Sequence, residues 1–178
     1  MEELFKDFIL QLKIKEDGLV YFRDNRSVLL SVPWFTTMQR ELEGIIGADG
    51  AFVLIESAAK RWASRAVNDY APLVKGKPFE EKIKFVLQMH SITGWGNWEL
   101  AEFSSNPLQI IIKETRPYHE DAYGGKADGP RCYYQSGLVA LIEELAKLEG
   151  LPPTKGTETK CMAQGDPYCE FVFSSAPE

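Results

Sequence analysis

The side chains best suited to chemistry lie near the end of the chain. Cys132 is followed by Glu158, Cys161 and Cys169, the last three inside the run TETKCMAQGDPYCEF. The protein has three cysteines, and all belong to this group. Thiolates and a carboxylate are donors that zinc accepts, and four of them complete a tetrahedral shell. If they converge, no coordination position is left for a substrate. Such an ion would staple the fold and would not catalyse.

The spacing sets conditions on that convergence. Residues three apart on a flat strand face opposite ways, so Glu158 and Cys161 can share an ion only if the strand bends, bulges or ends between them. Gly165-Asp166-Pro167 is turn chemistry, which can bring Cys169 back beside Cys161. Cys132 is expected at the start of a helix, where the backbone dipole favours a thiolate. Two other readings stay open. The cysteines could pack as small apolar groups, or Cys161 and Cys169 could form a disulfide, which would leave Cys132 unexplained and need an oxidising compartment.

The elements that must position these residues are readable from periodicity. Leu4, Phe5, Phe8, Ile9 and Leu12 suggest a short amphipathic helix over 1–12. Short strands with polar turns at Asp17-Gly18 and Arg23-Asp24-Asn25 follow over 12–32. Pro33 opens a helix over 33–46, broken by Gly47, Asp49 and Gly50, and a second helix covers 51–70. Phe79, Ile83, Val86 and Leu87 mark a helix over 79–91. Strands are expected over 97–103 and 108–113, then a polar loop over 114–130 with room for one helical turn. Leu138, Leu141, Ile142, Leu145 and Leu148 make the stripe of a helix over 131–148, stopped by Gly150 and Pro152-Pro153. Strands over 155–162 and 168–174 close the chain. The pattern predicts one α+β domain over 1–178, an antiparallel sheet packed with helices and ending in a zinc-stapled hairpin.

Composition narrows the function. A length of 178 residues suits one sizeable core. A net charge of −6 argues against a nucleic-acid binder, which carries a basic patch. The apolar runs are too short to span a membrane, and the N-terminus is not a signal peptide. An odd cysteine count points to a reducing, cytoplasmic setting. There is no Walker or dinucleotide loop, no nucleophile elbow and no HExxH motif. A binding module is therefore preferred over an enzyme.

The run ETKCMAQGDPYCEFVF resembles the C-terminal signature of the 4-vinyl reductase domain family. Cys132 and the segment Tyr133 to Leu145 are similar to that family's preceding element, so the resemblance covers roughly 90–175. The family includes sensor domains of phenol- and xylene-responsive transcription activators, a bacteriochlorophyll-synthesis protein and relatives of a Golgi-transport tether subunit. The resemblance implies the ligand-binding fold shared by NO-signalling and Golgi-transport proteins. It also implies a structural zinc on three cysteines and one glutamate, matching Cys132, Glu158, Cys161 and Cys169. Aromatic-sensing members hold their ligand in a buried pocket beside the metal, and MHSITGWGNWE places His90 where a histidine grips the ligand hydroxyl. The tryptophan those members carry on a following strand has no counterpart near Ile110 to Lys113, so the resemblance does not extend to phenol itself.

The ligand-binding candidates are therefore His90, Trp95, Trp98, Trp62 and Phe85, an apolar set with one polar anchor. His90 could equally be a helix-end residue bonded to backbone, and aromatics at helical spacing are more often core. His119, in RPYHED, is expected in an exposed polar loop, and Asp166 as a turn residue bonding its own backbone. The expected function is a free-standing module that binds a small hydrophobic or aromatic ligand. It would signal as a homodimer, through residues 1–32, or through a separate effector protein. The alternatives are a reductase or accessory protein for a tetrapyrrole vinyl group, and a tether subunit.

Overall fold

Alternation of apolar and polar residues builds the central sheet. In the computed structural model, which describes residues 6, 8–22 and 25–175, strand β5 (Leu108–Thr115) turns Leu108, Ile110, Ile112 and Glu114 inward. Strand β7 (Cys169–Ser175) does the same with Cys169, Phe171 and Phe173. With β4 (Asn97–Ser105) and β6 (Thr154–Lys160) they form an antiparallel sheet in the order β4-β5-β7-β6. Ile110 pairs with Phe173, and Ile112 with Phe171. The inner face is thus apolar along its middle and changes character at one end, where Trp98 stands opposite Glu114 and Glu114 opposite Cys169. A separate sheet, β1 (Leu12–Ile14), β2 (Val20–Phe22) and β3 (Asn25–Ser27), sits near the N-terminus. Of the helix expected over 1–12, Lys6 and Phe8 to Leu10 are helical; 1–5 and 7 lie outside the described residues, as do 23 and 24 of the second turn.

Helices cover the inner face. α1 (Val32–Tyr70) is two helices joined at Gly47, whose φ of 77° and ψ of 162° are glycine territory. The expected break over 47–50 is confined to that residue. Next to it the Tyr133 hydroxyl donates to the Ala48 carbonyl at 3.2 Å, and the Tyr133 ring packs with Ala51 and Ile55. α2 (Phe79–Ile92) buries Ile83, Val86 and Leu87. After the single turn α3 (Glu120–Tyr123), α4 (Ser136–Leu148) lays Leu138, Leu141, Ile142 and Leu145 into the same core as Ile110, Ile112, Phe171 and Phe173. Each such side chain, fully withdrawn from water, contributes about 1.5–3 kcal/mol.

One expected boundary moves. The helix anticipated over 131–148 begins at Ser136, so Cys132 lies ahead of it, not in its first turn. The intervening backbone is committed elsewhere. The Arg131 N–H donates to Cys161 Sγ at 3.3 Å, and the Arg131 carbonyl accepts from Gln39 Nε2 at 3.1 Å. Gln39, fully buried on α1, also accepts the Tyr118 hydroxyl and donates to the Tyr123 hydroxyl at 3.0 Å. This network pins the loop over 116–135 against α1.

Helix α4 meets β6 at a glycine for a steric reason. A Cβ at Gly156 would lie 2.4 Å from Val139 Cγ1 and 2.8 Å from Phe173 Cε1. Gly156→Ala is expected to lower stability by about 1–3 kcal/mol through overpacking. Urea denaturation checks this, with an unchanged midpoint as the contrary result.

Candidate functional site

Three segments converge at the polar end of the sheet. Cys132 comes from the loop before α4, Cys161 from the residue after β6, and Cys169 from the first position of β7. Cys132 Sγ lies 3.7 Å from Cys161 Sγ and 3.3 Å from Cys169 Sγ. A disulfide needs about 2.05 Å, and all three cysteines are free. Sulfurs around a tetrahedral zinc with Zn–S of about 2.3 Å stand about 3.8 Å apart, close to what is seen. The Met162 N–H donates to Cys169 Sγ at 3.3 Å, a second backbone donor aimed at sulfur. Asp166 accepts the Cys161 N–H at 2.8 Å, so it closes the turn between the two cysteines.

His119 completes a set of four donors whose ligand atoms all lie within 4.8 Å of one another. Its Nε2 is 3.1 Å from Cys132 Sγ. The expectation of an exposed His119 fails, because the residue is fully buried. The rings of Tyr118 and Tyr123, at centroid distances of 5.1 and 6.2 Å, enclose it. The only sequence signal for this was a metal-type donor between two tyrosines. Glu158 lies beside the set and outside its mutual 4.8 Å limit. The β6–β7 register slips between Glu158 and Lys160, and β6 ends at Lys160; this is the irregularity that the three-residue spacing demanded. The Glu158 carboxyl hydrogen-bonds Cys132 and Cys161, while its Oε1 is buried without a partner.

The electrostatics suit a cation. Burial drives the Cys132 thiol well above its usual range. It also raises Glu158 to about 9, with the charge on Cys161 adding to the effect. Hydrogen bonds from Cys132 and then Cys169 pull Cys161 far down. Against the opposing pull of Cys132, the hydrogen bond to Cys161 and burial push Cys169 up. Left to themselves, these groups favour one thiolate. A divalent ion would favour all of them deprotonated. Together with the orphaned Glu158 oxygen, this shows that the donor set could hold a metal ion.

A cavity of about 570 Å³ lies next to the cluster, walled by the second half of α1, the end of α2, the start of β4 and the start of α4. His90, Trp62, Trp95 and Trp98 line it; Phe85 does not. Phe85 packs against the core from outside, with the Lys77 ammonium 5.9 Å from its ring. Tyr134 and Gln135 line the cavity from the segment just after Cys132, and Phe35 lines it from α1. Sequence reasoning passed over all three, because their place depends on the loop over 131–135. Trp95 stacks edgewise on Phe35 at 5.4 Å and on Tyr118 at 5.7 Å. No Asp, Glu, Lys or Arg lines the cavity.

His90 is the cavity's ionisable anchor. Its Nδ1 is 3.0 Å from the Val86 carbonyl and so must carry the proton. In the neutral ring Nε2 is then an acceptor. Burial lowers the pKa from 6.5 to about 4, against the raising effect of that hydrogen bond. The unfolded chain therefore binds the extra proton between those values, and stability falls as pH drops from about 6.5 to about 4. The loss from this residue is up to about 3 kcal/mol. His90→Phe is expected to flatten that part of the stability–pH curve, and denaturant titrations at pH 7, 5.5 and 4.5 would test it. Identical pH slopes in the two proteins would refute it.

Residues 118–175 match the model of the vinyl-4-reductase (V-4-R) domain. This chain carries a vinyl-4-reductase domain. The match starts at Tyr118 and takes in His119, Glu158 and all three cysteines, while α1 and α2 lie before it. An uncharacterised protein of Methanocaldococcus jannaschii is 35% identical over 75 residues, 42% of this chain and 30% of that protein. The match thus spans under a third of that relative's length. Among solved structures, the phenol-responsive sensory domain of the transcription activator PoxR, with phenol, superposes with a TM-score of 0.79 at 15% identity. That alignment covers 98% of this chain and 90% of that one. Trafficking protein particle complex subunit 3 of Naegleria fowleri, covalently bound to palmitic acid, gives 0.57 at 12% identity over 82% and 95% of the two chains. A vinyl-4-reductase family protein of M. jannaschii gives 0.50 at 16% identity over 85% of each. At these identities the neighbours establish the fold around the vinyl-4-reductase domain. Among the described residues no helix is long and apolar enough to cross a membrane.

Proposed function

We propose that this protein is a ligand-binding sensor module whose cavity takes a small hydrophobic, ring-shaped molecule. The observation that carries this reading is the 570 Å³ apolar cavity with the neutral His90 on its wall. Its size falls in the range of small-molecule sites, and one polar anchor in an apolar lining is their usual composition. Nε2 as acceptor suits a ligand hydroxyl. The likeness in fold to a phenol-responsive sensory domain supports the same reading. All three cysteines belong to the buried cluster and none lines the cavity, so the cavity has no thiol to carry an acyl chain. Occupancy would be passed on by contact with a second copy or a separate effector. Val32, Trp34, Ile45 and Ile46, exposed along the first half of α1, offer an apolar surface for that contact. The free thiols fit a reducing, cytoplasmic setting.

The cluster is read as a structural zinc site held by Cys132, Cys161, Cys169 and Glu158, with His119 as the neighbour that donates Nε2–H to the Cys132 sulfur. A metal-bound histidine almost always gives its other ring N–H to a partner. His119 Nδ1 is buried and has none among the described residues, which favours Glu158 as the fourth ligand. When bound, zinc would supply cross-linking of three chain segments and no reactive position.

Two measurements test these readings. By elemental analysis the purified chain should carry about one zinc, Cys161→Ser should lose most of it with a large drop in stability, and Glu158→Gln should lose more than His119→Gln. Full metal in Glu158→Gln with loss in His119→Gln would reverse the ligand assignment. In calorimetric titration, 2-naphthol should bind the wild type, and His90→Phe should weaken it about tenfold, the value of one buried hydrogen bond. No binding to the wild type would reject the ligand reading.

A further inference from the structure

The cavity wall holds a second polar pair besides His90. Trp98 Nε1 and Gln135 Oε1 are both buried, and neither has a hydrogen-bond partner among the described residues. Both residues line the cavity, and they are 6% and 3% exposed. Buried donors and acceptors are rarely left alone, because each forfeits its bond to water. Neither has a simple way out. Gln135 Nε2 donates to Glu114 Oε2 at 3.0 Å, so turning the amide to satisfy its oxygen would break that bond. The Trp98 ring is held on Phe171 at a centroid distance of 5.7 Å.

The two orphans are neighbours. Trp98 stands opposite Glu114 in the β4–β5 ladder, and cross-strand partners hold their Cβ atoms about 4.5–5.5 Å apart. Gln135 reaches the same Glu114 from the segment before α4. An indole N–H and an amide carbonyl therefore flank one buried carboxyl, one a donor and the other an acceptor. A group that accepts and donates on adjacent atoms complements both, and a lactam or cyclic amide edge has that pattern. The rest of the lining adds two limits. With no Asp, Glu, Lys or Arg on the wall, a charged ligand would be desolvated without a counter-charge. A single benzene ring occupies a cavity of about 150 Å³, so 570 Å³ leaves room for fused rings.

Resting on the ligand-binding reading above, we infer that the cavity selects an uncharged fused-ring molecule with two polar edges. A hydroxyl on one edge donates to His90 Nε2. A lactam-type edge gives its N–H to Gln135 Oε1 and takes the N–H of Trp98.

Three probes of like size test this on the full chain by calorimetric titration: 2-naphthol, 6-hydroxy-2-quinolone and 6-hydroxy-2-naphthoate. The quinolone carries the lactam edge, naphthol lacks it, and the naphthoate replaces it with a negative charge. The quinolone is expected to bind about tenfold or more tighter than naphthol, and the naphthoate about tenfold or more weaker. Trp98→Phe and Gln135→Met should each bring the quinolone-to-naphthol ratio near one and leave naphthol within about twofold of its wild-type affinity. Gln135→Met also strips Glu114 of its partner; if that variant does not fold, Trp98→Phe decides alone. Equal affinity for quinolone and naphthol in the wild type overturns this inference and leaves the hydrophobic-ligand reading standing. A ratio that survives Trp98→Phe, or tightest binding by the naphthoate, overturns it in the same way. Failure of all three probes to bind removes both readings.

Discussion

Three sulfur atoms drawn from distant parts of the chain meet at the end of the central sheet, two of them 3.7 and 3.3 Å from the third, that of Cys132. The last hairpin depends on this meeting. β6 is an edge strand of threonine, lysine, glycine and glutamate, and its alternate residues face water. Its hold on the core runs through Gly156 beneath α4 and through the irregular exit that delivers Cys161 inward. A hairpin with so little apolar surface needs a fixed end, and the cluster provides one. The same requirement explains why 131–135 is not helical. Its backbone groups go to Cys161 and Gln39, so the helix cannot start until Ser136.

The cluster is not isolated from the cavity. Trp98, Glu114 and Cys169 form one row across β4, β5 and β7. Trp98 faces the cavity, Cys169 belongs to the cluster, and Glu114 lies between them. Burial raises the Glu114 carboxyl well above the usual carboxylate range, against the lowering effect of its bond to Gln135. The row thus crosses from an apolar wall to a sulfur site with an uncharged acid at its centre. On the loop side the arrangement repeats: Cys132 enters the cluster, and Tyr134 and Gln135 enter the cavity.

How much of this was legible follows from what each feature depends on. The helix of Phe79, Ile83, Val86 and Leu87 and the break at Gly47 were readable because local periodicity and one glycine determine them. The ligand-type cysteines were readable from chemistry, and the strand irregularity at Glu158 from geometry alone. His119 was not, because its burial comes from Tyr118 and Tyr123 folding over it, and no periodic pattern marks the loop over 116–130. The start of α4 was missed because helical propensity around Tyr133 and Tyr134 is overridden by tertiary bonds at Arg131. Phe85 lies on the same helix as His90, five residues earlier. Five residues turn a helix through about 500°, some 140° away in direction, so the two side chains face different ways. The aromatic content suggested a pocket, but only the helix phase says which rings reach it.

That phase argument also bears on selectivity. His90 is held by its own helix, through Val86, and asks nothing of the rest of the molecule to keep its Nε2 an acceptor. Gln135 is held by a different strand and a different loop, through Glu114, one step from the cysteines. The hydroxyl-accepting end of the cavity is therefore a local feature of α2, whereas the lactam-matching end exists only when the loop over 131–135 is in place. Loosening the sulfur cluster would let that loop drift and blur the second edge while leaving the first intact. A ligand that uses both edges bridges the part of the wall α2 fixes alone and the part that needs the last third of the chain folded.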